Sequence, residues 1–363
     1  MAAAETQTPG ATEGLSRSDR TVLGLATVGT LIAGVVNYAT DPGVLSFVLA
    51  GFALALLAST VGRSVEGLGT RLGAGATGVV QSALGNLPEL FVCIFALRKG
   101  LNEVVKATIV GSVLSNVLLV LGLAFIAGGL KHGPQTFDPK TARSIVSLLL
   151  LAVATLLVPT LAHSLNTPAA DHLGALSTVC AVVLLVVFAF SVPESIKRKE
   201  HEDGEPGQHE SRWPLALALG VLAGAGVAAA FVSDWFVAGL EPAVTSLGIS
   251  QTFAGLVIVA IAGNAVENVA GLVLAYKGRS DLAISVVKNS VAQIAAFLFP
   301  VLVLISLALS TTLTFHLAPV YTGALALSAI AVSQVTGDGD AAAFEGWALV
   351  ALYVVLATFT IYE

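Results

Sequence analysis

Charged side chains are scarce in this chain: Asp, Glu, Lys and Arg make up 11% of its 363 residues, where soluble domains carry roughly 25%. Cysteine is nearly absent. Cys93 and Cys180 both lie inside apolar runs, which favours two buried thiols over a disulfide framework. There is no basic stripe and no aromatic–basic interleaving, so nothing points to nucleic acid as a partner. The opening residues lack the basic segment and short apolar core of a cleaved signal. What remains is apolar, with 56% hydrophobic residues and a mean hydropathy of +0.89. A water-soluble core cannot hide so much apolar surface. A bilayer can, so membrane lipid is the expected surrounding.

A spanning helix needs ~20 mostly apolar residues. That rule predicts spans at 22–38, 43–60, 72–98, 103–128, 143–161, 172–192, 213–232, 249–276, 281–308, 316–335 and 342–362. The third, fourth, eighth and ninth are long enough to be tilted or broken. Residues 1–20 read as a disordered tail, and 193–212 (PESIKRKEHEDGEPGQHESR) as a charged cytoplasmic linker. With the amino terminus inside, thirteen of the seventeen Lys and Arg residues fall on the cytoplasmic side. The expected location is a bacterial cytoplasmic membrane.

Sliding the chain against itself by 178 residues reveals a repeat. Without a gap, Gly85, Asn86, Glu89, Lys99, Gly100 and Ser112 meet Gly263, Asn264, Glu267, Lys277, Gly278 and Ser290. Each half then holds five spans, and an odd number makes the second half enter the membrane from the opposite side. The expected fold is an all-α membrane protein of about 11 transmembrane helices: an inverted 5+5 repeat plus one extra N-terminal helix. In this division 21–42 is the extra helix and loop, 43–192 the first repeat, and 213–363 the second, inverted repeat. Many secondary transporters are built this way, with the site at the midplane where the repeats meet.

Glu89 and Glu267 fall deep within their spans, where an ionised group costs at least ~2.5–3.5 kcal/mol. Two carboxylates close together repel unless a cation or protons neutralise them, so one pair can hold either and couple the two fluxes. Gly85 and Gly263 permit a helix break, and Pro88 removes a backbone donor in the first copy. Asn86 and Asn264 adjoin those breaks. In the next spans Ser112, Ser115 and Asn116 share a helix face, and Ser290 and Gln293 repeat the serine positions. All are hard oxygen donors of the kind Ca²⁺ takes. Glu89, Glu267, Asn86, Asn264, Ser112, Asn116, Ser290 and Gln293 are therefore the expected cation ligands, and the two glutamates also the proton carriers. No resident cofactor and no enzymatic chemistry are expected. The histidines 132, 163, 172 and 316 read as surface groups at span ends, and Asp338, Asp340 and Glu345 as loop residues.

At these residues the chain resembles the cation/proton exchanger branch of the calcium/cation antiporter superfamily. The segments GNLPELFVCIFALRKGLNEVVKATIVGSVLSNVLLVLG and GNAVENVAGLVLAYKGRSDLAISVVKNSVAQIAAFLFPVLVL are similar to its two signatures, and GDGDAAAFEGWALVALYVVLA is similar to its last segment. The resemblance implies eleven spans, alternating access and site glutamates at Glu89 and Glu267. Three residues depart from the family pattern and are candidates for setting selectivity: Asn268 in place of a histidine, Asn289 in place of a glycine, and Lys288 in place of an apolar residue. Lys288 reads either as snorkelling to the cytoplasmic face or as a positive charge tethered near the carboxylates. The leading expectation is Ca²⁺/H⁺ antiport. Na⁺/H⁺ or K⁺/H⁺ antiport is the alternative, and a passive cation channel a more distant one.

Overall fold

The computed structural model describes residues 15–202, 213–309 and 311–362. In chain order the helices are α1 (Arg17–Ala39), α2 (Val44–Leu84), α3 (Leu87–Arg98), α4 (Asn102–Leu114), α5 (Leu121–His132), α6 (Pro139–Ser164), α7 (Leu173–Glu202) and α8 (Leu215–Leu247). The second half continues with α9 (Gln251–Phe253), α10 (Ala260–Gly263), α11 (Ala265–Tyr276), α12 (Ser280–Gln293), α13 (Phe299–Ser306), α14 (Pro319–Thr336) and α15 (Ala343–Ile361). π-Helical segments at Ser115–Val120, Ala254–Val259 and Ile294–Leu298 join α4 to α5, α9 to α10 and α12 to α13. Among the described residues nine helices are long and apolar enough to cross a membrane, and Gln251–Gly263 with Ala265–Tyr276, bent by 63°, makes a tenth. The chain is a multi-pass membrane protein.

The expected third span, 72–98, is not a helix of its own. Its first part continues α2, and its second is the 12-residue α3 beyond a break at Gly85–Asn86. The other three spans expected to be tilted or broken each carry an irregularity: a π segment in the fourth and ninth, a bend in the eighth. Three boundaries also move. The helix α1 starts at Arg17, inside the expected tail, because Ser16 and Asp19 form a capping box. Helix α7 runs to Glu202, ten residues into the expected linker, through a segment rich in helix-forming Glu, Lys and Arg. Helix α8 runs to Leu247, where Gly248 adopts the left-handed conformation that ends it. Residues 1–14 of the expected tail and 203–212 of the expected linker lie outside the described residues.

The repeat is visible in the backbone. Asn86 (φ −98°, ψ 21°) and Asn264 (φ −103°, ψ 20°) break their helices in the same conformation. Gly100 and Gly278 then reverse the chain at φ 77° and 75°. These two turns lie at opposite ends of the molecule. The α12–α13 span begins beside the Gly278 turn, and in the loop after its end Thr311 donates to the Leu97 carbonyl at 2.8 Å, beside the Gly100 turn. The second half is inverted relative to the first.

The long helices α2 and α8, counterparts in the repeat, pack along each other. Phe47 stacks on Phe236 with ring centroids 4.5 Å apart, and Gly239 admits the backbone of Phe47. The span Asn102–His132 is the most enclosed, whereas α1 is peripheral and presents Leu31 and Val35 outward. At one end a two-residue ladder (β1, Gln135–Thr136; β2, Asp340–Ala341) ties the α5–α6 loop to the α14–α15 loop. Lys131 and His132 both reach the Tyr276 carbonyl there. The loops that the charge distribution assigns to one side of the membrane thus meet at one end of the fold.

Candidate functional site

The two helix breaks face each other in the interior. Glu89 is the third residue of α3 and Glu267 the third of α11. Each carboxyl therefore sits at the N-terminal, electropositive end of a half-helix that starts inside the membrane. Glu89 packs against the opposite break: a Cβ added to Gly263 would lie 3.5 Å from Glu89 Cγ and 3.6 Å from Cδ. Glu89 is 1% exposed, whereas Glu267 is only half-buried.

A hydrogen-bond network built from both repeats surrounds Glu89. The Ser112 hydroxyl donates to Glu89 Oε1 at 2.5 Å and accepts from Asn264 Nδ2 at 2.9 Å. Asn264 Oδ1 in turn lies 3.5 Å from both Asn116 Nδ2 and Ser290 Oγ. A second cross-repeat pair stands beside it, with Asn86 Nδ2 donating to Gln293 Oε1 at 3.3 Å. The π-helical stretch that begins at Ser115 shifts the register of the following turn, and Asn116 lies in it. Such segments recur at functional sites.

Seven of the eight expected ligands are joined by these bonds: Glu89, Ser112, Asn264, Asn116 and Ser290 in one group, Asn86 with Gln293 in the other. Glu267 stands on the opposing break without a hydrogen bond to them. Several buried acceptors are unsatisfied. Glu89 Oε2, Asn116 Oδ1 and Asn268 Oδ1 are shut off from solvent without a hydrogen-bond donor, a costly state unless a ligand or proton completes them. Asn268 is held in the bend, its amide donating to the Ile261 carbonyl at 3.5 Å. Lys288 and Asn289 are half-buried in the third turn of α12, just before Ser290. Among the described residues no cluster of three or more His, Cys, Asp or Glu could hold a metal.

The profile of the sodium/calcium exchanger protein family matches residues 42–196 and 217–362. The chain belongs to this family. Among its relatives, a Ca²⁺/H⁺ antiporter of Synechocystis is 34% identical over 331 residues, which is 86% of this chain and 89% of the relative. The Ca²⁺/H⁺ antiporter ChaA of Bacillus subtilis is 31% identical, covering 87% of this chain and 92% of its own. The solved structure of native YfkE superposes with a TM-score of 0.80 at 28% identity, covering 94% of this chain and all of that one. An H⁺/Ca²⁺ exchanger CAX structure gives a TM-score of 0.73 at 15% identity, covering 93% of this chain and 88% of that one, a likeness of fold.

The positions of Glu89 and Glu267 at the two breaks were legible in the sequence. The packing residues were not. Gly111 and Gly255, which let α4 and the second broken helix touch backbone to backbone, carry no signal beyond being glycines in apolar runs.

Proposed function

We propose that this protein is a secondary antiporter that exchanges Ca²⁺ for H⁺ by alternating access, with Glu89 and Glu267 binding cation and protons in turn. The observation that carries this is the unsatisfied Glu89 Oε2, buried where the two breaks meet, with Asn116 Oδ1 of the same hydrogen-bond network unsatisfied too. Both are acceptors, and both call for a positive partner. A Ca²⁺ ion takes six to eight oxygens, and the two carboxylates, Asn86, Asn264, Asn116, Ser112, Ser290 and Gln293 offer a set of that kind. Two carboxylates balance one divalent cation or two protons. With so few charged ligands the ion is held weakly enough to leave, as transport demands.

The names of the Synechocystis and Bacillus relatives support Ca²⁺ as the cargo. The amino terminus lies in the cytoplasm of a bacterial cell on this reading. No cofactor takes part, and no covalent chemistry is performed.

The test is uptake into proteoliposomes with an imposed pH gradient, comparing Ca²⁺, Na⁺ and K⁺. Gradient-driven Ca²⁺ uptake is expected, and it should vanish in Glu89→Gln and in Glu267→Gln. Gradient-driven Na⁺ or K⁺ uptake without Ca²⁺ uptake would reassign the cargo. Ca²⁺ flux without proton counterflow would make the protein a channel.

A further inference from the structure

A cleft of about 430 Å³ opens between α3 and α8 and is lined by Phe95, Arg98, Lys99, Ala230, Phe231 and Asp234, none of them among the expected cation ligands. Its volume falls within the ~300–1,000 Å³ of pockets that hold small ligands. It lies beside the Arg98–Gly100 turn, at the end of α3 where the chain leaves the membrane. All three of its charged side chains are exposed. Among the described residues the ion pairs are Arg63–Asp19 and Lys106–Glu103, so Asp234 does not neutralise Arg98 or Lys99. The cleft thus keeps two cations and one carboxylate side by side, beyond contact with each other.

The surface of α8 leading away from the cleft is apolar and open. Ala223, Gly224, Val227 and Phe231 are exposed along one helix face that ends at Asp234. A Cβ added at Gly224 would meet nothing within 4 Å, so the face is a shallow track beside the bulkier Val227 and Phe231.

We propose that this cleft binds the headgroup of an aminophospholipid, with an acyl chain lying along the α8 track. Arg98 and Lys99 would take the phosphate, and Asp234 the primary ammonium. An anionic lipid satisfies the cations but meets repulsion at Asp234. A choline headgroup has no N–H to donate to the carboxylate, and the Phe95 ring that could receive it already carries the Arg98 guanidinium at 5.9 Å. Only a headgroup with phosphate and primary amine matches all three charges.

Native mass spectrometry of the full chain tests this by titration with dioleoyl phosphatidylethanolamine, phosphatidylcholine and phosphatidylglycerol. The wild type should retain phosphatidylethanolamine over phosphatidylcholine by about threefold, as expected for one exposed ion pair. Asp234→Asn should erase that preference and strengthen phosphatidylglycerol binding. Arg98→Gln combined with Lys99→Gln should weaken all three lipids. A preference that survives Asp234→Asn, or none in the wild type, overturns the proposal. So does an unchanged lipid profile with a raised half-saturating Ca²⁺ concentration for Asp234→Asn in vesicles of phosphatidylcholine alone, which would assign Asp234 to cation recruitment.

Discussion

Gly111 on α4 lies flat against the backbone of Leu256 in the second broken helix: a Cβ at position 111 would stand 2.5 Å from Leu256 Cα. From the other side, a Cβ at Gly255 would come within 2.7 Å of the Val104 carbonyl oxygen. Ser112, the next residue along, is the hydroxyl that joins Glu89 of the first repeat to Asn264 of the second. The contact between repeats and the geometry of the carboxylate therefore depend on the same close approach.

Gly111→Ala should separate these helices. Overpacking a close contact costs about 1–3 kcal/mol or more, and the separation draws Ser112 away from Asn264. Gradient-driven Ca²⁺ uptake and the thermal transition in detergent should both fall. Gly323→Ala, whose Cβ meets nothing, should leave both unchanged. Normal uptake by Gly111→Ala would mean that the close approach does not set the position of Ser112.

Ser112→Ala removes a hydrogen bond to a charged group, an interaction of ~1.5–3 kcal/mol, and leaves Asn264 Nδ2 with only the Ala260 carbonyl. Half-saturating Ca²⁺ in the uptake assay should rise about tenfold. Ser115→Ala is the matched control, because its hydroxyl donates only to the Ser112 carbonyl within its own helix. That change should shift the value by less than about twofold. Equal effects from the two serines would show that the Ser112 side chain matters only for helix packing.

The broken helices were readable because Gly–Asn followed by Glu has no packing reason to recur in two apolar runs. The pairing of Asn86 with Gln293 was not: its counterpart in the repeat, Asn264 with Ser115, does not form, and Ser115 bonds the Ser112 carbonyl instead. The lengths of α2 and α8 were hidden for a physical reason. Arg63 and Arg71 look like span ends, yet arginine is a good helix former and does not stop a helix. Asp234, Glu241 and Pro242 look like loop, yet α8 carries all three. The start of α1 was available in the sequence, since Ser16 and Asp19 have capping-box spacing, but composition alone placed it later. The contacts that close one end of the fold, such as Ser280 with Gln135, join residues far apart in sequence and leave no periodic trace.

That end supplies a stability prediction. Ser280 donates to Gln135 Oε1 at 2.5 Å, and the Asp138 amide donates to Asp281 Oδ1 at 2.7 Å. Together they latch the α5–α6 loop of the first repeat to the α11–α12 turn of the second. Gln135→Leu strands the buried Ser280 hydroxyl at a cost of ~1–3 kcal/mol. Hydrogen exchange across residues 133–141 should accelerate, with no change at the Gly100 turn. Asp281→Asn keeps the acceptor and should exchange like wild type. Uniform acceleration at both ends would show that these bonds stabilise the whole fold and do not form a local latch.

At the other end, the His163 and His316 rings meet at 46° with centroids 4.0 Å apart, and the Leu317 amide donates to the Thr160 hydroxyl at 3.2 Å. The α13–α14 loop is pinned to the end of α6 through these contacts. Burial lowers the pKa of His316 first, then the charge of Lys106 and the neighbouring His163, with Glu103 acting in the opposite sense. As pH falls, the unfolded chain takes up this proton first, near the ordinary histidine value of about 6.5. Stability therefore rises with pH through that region and is lost as pH drops below it. The thermal transition should be level between about pH 8 and pH 7 and fall between about pH 6.5 and pH 5. His316→Gln should flatten part of that fall, and His163→Gln should flatten less of it by removing one of the groups that disfavour the charge. A pH profile identical in wild type and His316→Gln would place the acid sensitivity elsewhere in the protein.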